Sequence, residues 1–120
     1  VLNLKKALAK TVNRITVRTV TSTYVQNSCV TSNLFTAPTK EVCGVVVANI
    51  SFNVGTAPGT TWTTIGTIAE KPSRNVEAIV PSQNNSANVY LRITTDGNIQ
   101  IYNASGTPSG WFRTTMCYIV

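Results

Sequence analysis

The stretch VYLRITTDGNIQIY, residues 89–102, decides the fold class. Val89, Leu91 and Ile93 alternate with Tyr90, Arg92 and Thr94, and beyond TDGN the residues Ile99 and Ile101 alternate with Gln100 and Tyr102. Alternation at period two places one set on a buried face and the other on an open face. Asp96-Gly97 between the two runs reaches positive φ and matches the twist of flanking strands, so the segment predicts an antiparallel hairpin. Tyr90 and Tyr102 then pair across it.

Working outward, the same grammar recurs. WFRTTMCYIV, residues 111–120, puts Phe112, Thr114, Met116, Tyr118 and Val120 on one face and leaves Trp111 and Arg113 on the other. Residues 76–80 form a short strand stopped by Pro81, and residues 61–69 form another, broken by EKPSRN. In residues 42–54, VCGVVVANISFNV, the set Val46, Ala48, Ile50, Phe52 and Val54 shares a face, while Val45 and Val47 add apolar bulk opposite. A strand apolar on both sides is central in its sheet or covered by a second subunit. GTAPGT, residues 55–60, turns the chain.

Composition agrees. The 19 Thr, 15 Val and 9 Ile suit pleated surfaces, whereas Leu occurs only five times. At least six strands in 120 residues, joined by turns and loops, predict one all-β domain. The expected form is a jelly-roll-like antiparallel β-sandwich or small barrel, residues 21–120. Residues 1–20 read as a neck or linker, helical or extended. There Leu4, Leu8, Thr11 and Ile15 recur at helical spacing, with Asn3 as cap. So short a helix is marginal alone, which makes Leu4, Leu8 and Ile15 the expected oligomer interface.

Ten basic residues against four acidic give a net charge of +6, and Lys5, Lys6, Lys10, Arg14 and Arg18 crowd the first 18 positions. No aromatic residue precedes Tyr24, so the interleaving that a single-strand nucleic-acid binder needs is missing and no nucleic-acid partner is expected. No apolar run approaches the length needed to cross a membrane, so no membrane insertion is expected either. The chain begins with Val, as a fragment would. Cys29, Cys43 and Cys117 form no CxxC pair and read mainly as small buried hydrophobes, one disulfide with a third free thiol being the other option.

Without histidine, Ser-His-Asp, Cys-His and histidine–metal chemistry is excluded. Of the four carboxylates, Glu77 and Asp96 are the one pair to weigh as a glycosidase dyad, but the turn explains Asp96 and an open strand face explains Glu77. The chain thus reads as a non-enzymatic binder with no cofactor and no metal. Trp62, Arg92, Asn98, Tyr102, Trp111 and Arg113 are its candidate saccharide site: an aromatic plate packs the apolar face of a sugar ring while amides and guanidinium bond its hydroxyls. These six come together only if the hairpin lies beside the last strand.

Residues 62–120 also resemble a known family. Trp62, Ile65 and Ile68 leading to Pro72-Ser73, then Val89, Leu91, Ile93, Asp96, Gly97, Ile99 and Ile101, then a strand to the C-terminus, resemble the C-terminal heads of receptor-binding or tail-fibre proteins of tailed phages infecting Gram-positive bacteria. Ala69-Glu70 departs from the Leu-Pro frequent there. The resemblance implies a homotrimer at a phage tail tip or baseplate, in contact with other tail proteins. It also implies a jelly-roll-like head that binds a host wall polysaccharide or teichoic acid at the outer cell surface, without catalysis. A virion adaptor or decoration domain without a sugar site, and a monomeric carbohydrate-binding module, are the alternatives.

Overall fold

The computed structural model of the protein describes residues 3–4 and 16–120. Leu4 is exposed, while Leu8 and Ile15 lie outside the described residues, as do Lys5, Lys6, Lys10 and Arg14. Ten strands follow: β1 (Arg18–Val20), β2 (Ser22–Tyr24), β3 (Val30–Thr36), β4 (Thr39–Val42), β5 (Val45–Val54), β6 (Thr63–Ile68), β7 (Val76–Pro81), β8 (Asn88–Ile93), β9 (Asn98–Ser105) and β10 (Gly110–Ile119). They make two five-stranded antiparallel sheets. Sheet A runs β1-β4-β5-β10 with β3 also on β5, and sheet B runs β2-β6-β9-β8-β7. The sheets do not close into a barrel, and the molecule is elongated, 63 × 25 × 25 Å.

One core fills the space between the sheets. β5 contributes Val46, Ala48, Ile50, Phe52 and Val54, and β10 contributes Phe112, Met116 and Tyr118. Val89, Leu91, Ile93, Ile99 and Ile101 face them from β8 and β9. The rings of Phe52 and Phe112 stack at 5.4 Å. The alternations read from the sequence therefore point inward, except that Thr114 is only half-buried and Val120, just past the end of β10, is exposed where the inner face was expected to continue. β5 is central, with β10 on one side and β3 and β4 on the other.

Three local features differ from expectation. Residues 42–54 are not one strand: Cys43 (φ 52°) and Gly44 (φ 79°) both take positive φ and fold β4 back on β5 as a two-residue hairpin. Gly44 N donates to Glu41 Oε1 at 2.7 Å inside that turn. In the β8–β9 turn only Gly97 has positive φ, at 84°. Gly97 N donates to Thr94 O at 2.8 Å and Thr94 N to Asn98 O at 2.9 Å, so Asp96-Gly97 is the end of a three-residue loop with a bulge, not a two-residue turn. Finally, of the three cysteines only Cys29 is buried. Cys43 and Cys117 are exposed, because one sits in a turn and the other on the outer face of β10, and all three are free thiols.

The sheets are entered together. β1 pairs with β4 in sheet A, and after Thr21 alone β2 pairs with β6 in sheet B. The first strand thus starts at Arg18, within the segment read as a neck. Arg18 is held by Glu41 at 2.6 Å and by Glu70, and the Glu70 hydrogen bond foremost keeps its guanidinium protonated even more firmly than usual. Tyr118 closes the same corner, its hydroxyl donating to Glu70 O at 2.6 Å. Burial, and secondarily the Glu70 charge, push its pKa up to about 12.

Candidate saccharide platform

Among the described residues no buried side-chain nitrogen or oxygen lacks a partner, so chemistry that addresses a ligand has to be sought on the surface. The outer face of sheet B supplies it. Register pairs Ile79 with Tyr90 and Tyr90 with Tyr102, and Trp62, just before β6, reaches Tyr102. The centroid spacing is 5.2 Å from Trp62 to Tyr102 and 6.1 Å from Tyr102 to Tyr90, with rings tilted by 46° and 52°. Tilted neighbours leave an angular trough, not a sealed stack. Its far end is open, because Ile79 is 63% and Tyr90 37% exposed.

The adjacent row is polar. Register aligns Thr64, Gln100, Arg92 and Glu77 across the four strands β6, β9, β8 and β7. Arg92 Nε donates to Gln100 Oε1 at 2.7 Å, and Gln100 Nε2 donates to Thr64 Oγ1 at 3.0 Å. The Arg92 guanidinium lies 4.0 Å from the Trp62 ring centroid. Nε thus has its acceptor, and no acceptor for the two terminal amino groups is found among the described residues. A guanidinium seated over a ring and tied at one nitrogen is preorganised to bond something outside the chain. The stack itself contributes about 1 kcal/mol at a surface, too little for the fold to depend on it.

Of the six residues proposed from sequence, Trp62, Arg92, Tyr102 and Asn98 share this face, Asn98 one row beyond Gln100 beside Thr67. Trp111 and Arg113 do not join them. The hairpin β8–β9 belongs to sheet B and β10 to sheet A, so the expected adjacency fails and the two lie on the outer face of the other sheet. There the Arg113 guanidinium is 5.2 Å from the Trp111 ring. The face also carries Tyr90, Gln100, Thr64 and Ile79, which are not among those six. Strict alternation with Arg92 and Tyr102 was the signal for the first two, whereas Ile79 and Thr64 need the strand order. No three Cys, Asp or Glu side chains gather as metal ligands among the described residues. No protein-family model and no curated protein sequence matches the chain.

Proposed function

We propose that this domain is a non-enzymatic receptor-binding head that recognises a cell-surface saccharide. The setting is the one its sequence resemblance implies: a jelly-roll-like head of a homotrimeric attachment protein on a phage of Gram-positive bacteria. The observation that carries the reading is the trough Trp62–Tyr102–Tyr90 with the Arg92 fork beside it. Tilted rings offer apolar surface to a pyranose, and the unsatisfied guanidinium N–H groups and the Gln100–Thr64 pair meet hydroxyls, carboxylate or phosphate at its edge. Leu4, 71% exposed in the single chain, is free to meet symmetry mates.

The test is retention on purified Gram-positive sacculi, with and without their teichoic acid. The parent protein binds, and Trp62→Ala weakens binding at least roughly thirtyfold, as loss of a hot-spot aromatic worth about 2 kcal/mol implies, without a change in thermal midpoint. A parent that is not retained on either preparation, or a Trp62→Ala variant that binds like the parent, overturns the proposal. One observation favours a second reading, a virion adaptor. Val45 pairs in register with Ile119, and with Val120 these three exposed side chains form an apolar end to sheet A. That reading requires assembly with no saccharide retention at all.

A further inference from the structure

The chain has two Trp residues, and neither is in the core, which is built on Phe35, Phe52 and Phe112 instead. Each Trp carries an arginine on its ring, Arg92 on Trp62 and Arg113 on Trp111. Both indoles are half-buried outside the core, which forgoes part of the burial a core would use. The second pair also has a recess beside it. β3 ends at Thr36 opposite Ser51, and β4 begins at Thr39 opposite Ala48, so the Ala37-Pro38 step leaves Asn49 and Ile50 of β5 without strand partners on that side. Pro38 has no N–H to extend the ladder, and its carbonyl takes only Asn49 N, at 3.0 Å. The gap is a groove of about 330 Å³ lined by Thr36, Pro38, Asn49, Ser51, Arg113 and Thr115, within the size range of small-molecule sites. Thr115 Oγ1 donates to Asn49 Oδ1 at 2.7 Å, which fixes the amide and leaves its NH₂ as a donor.

We infer that Trp111, Arg113 and Asn49 form a second saccharide site on the outer face of sheet A, so that each chain is bivalent for the polymer. The inference rests on the saccharide reading of the first site. Both sites consist of an indole, a guanidinium and an amide tied to a threonine, with Gln100–Thr64 at the first and Asn49–Thr115 at the second. The sites occupy opposite faces of two stacked sheets, about 10 Å apart between layers, so one sugar ring cannot touch both. A repeating wall polysaccharide can, by wrapping a body 25 Å across or by running as two neighbouring strands. Bivalency then raises apparent affinity with no further contact.

Trp62→Ala, Trp111→Ala and the double variant are titrated on the same sacculi, with Arg92→Gln and Arg113→Gln as counterparts that leave both rings in place. Each single variant keeps saturable binding but loses roughly 10²-fold in apparent affinity, the lower end of the gain from linking two sites. The double variant loses binding altogether. If Trp111→Ala and Arg113→Gln both bind like the parent, the second site does not exist while the first stands. If either single Trp variant abolishes all binding, the chain has one site and bivalency is wrong. If the parent itself is not retained, the saccharide reading beneath the inference has failed.

Discussion

Gly97 and Gly44 both sit in hairpin turns at nearly the same positive φ, 84° and 79°, yet a methyl group at each meets different surroundings. A Cβ on Gly44 meets nothing within 4 Å, whereas one on Gly97 would stand 2.6 Å from Ile68 O. Gly44→Ala therefore carries only the cost of an L-residue in the left-handed region, about 1 kcal/mol. Gly97→Ala carries the same cost and a collision 0.8 Å inside the 3.4 Å at which ordinary contact begins. The obstacle is backbone, so the end of β6 has to move. That movement strains the hydrogen bond from Ile68 N to Gly97 O, now 2.8 Å, through which the turn is anchored to its neighbouring strand. Losing that bond adds roughly 1 kcal/mol or somewhat more. The expected totals are about 1 kcal/mol for Gly44→Ala and about 2–3 kcal/mol for Gly97→Ala. At roughly 4 °C of midpoint per kcal/mol for a domain of this size, the two variants separate by about 4–8 °C. Urea titration gives the same comparison as a free-energy difference at constant slope. If Gly97→Ala is no less stable than Gly44→Ala, the turn is not seated against β6 as described.

Gly66 lies where a Cβ would be 2.5 Å from Phe35 Cζ, so Gly66→Ala destabilises by about 1–3 kcal/mol, and adding Phe35→Leu recovers part of that loss in a double-mutant cycle. Equal and additive losses would mean the two do not touch. Tyr118, with its folded pKa raised to about 12 from an ordinary value near 10, stabilises the fold fully below pH 10. The unfolded chain gives up that proton first, so stability falls as pH rises from about 10 to about 12, and Tyr118→Phe flattens that part of the urea-derived profile. An unchanged profile would sink the assignment. Native protein treated with a thiol reagent releases two equivalents quickly, from Cys43 and Cys117, and the third, Cys29, only on unfolding. Fast reaction of all three would contradict the burial of Cys29.

What the sequence made legible is what period two encodes. The inward faces of β5, β8, β9 and β10 were readable because each strand carries five or so alternating positions, and an error of one residue would have put Leu91 or Phe112 in water. The turn at Cys43-Gly44 was hidden because valines flank it on both sides and cysteine is an uncommon residue at positive φ. Hydrophobicity there ran on while the backbone reversed. The short strands β1, β2 and β4 were not delimited, because three or four residues give too few alternations to fix where a strand begins and ends.

The candidate site was half legible for a related reason. Alternation tells which side chains leave the core, and Trp62, Arg92, Tyr102, Trp111 and Arg113 all do. It says nothing about which outer face they reach, because a two-layered protein has two. Grouping the six residues into one site assumed that β10 follows β9 into the same sheet. The chain instead crosses to sheet A through the loop at residues 106–109 and pairs β10 with β5 over ten residues. Length accounts for that choice. β5 has ten residues, whereas the edge strands of sheet B are the three-residue β2 and the six-residue β7, so β10 forms a longer ladder against β5. The strand pairing that stabilises the core is therefore also what separates the two Trp–Arg pairs onto opposite faces.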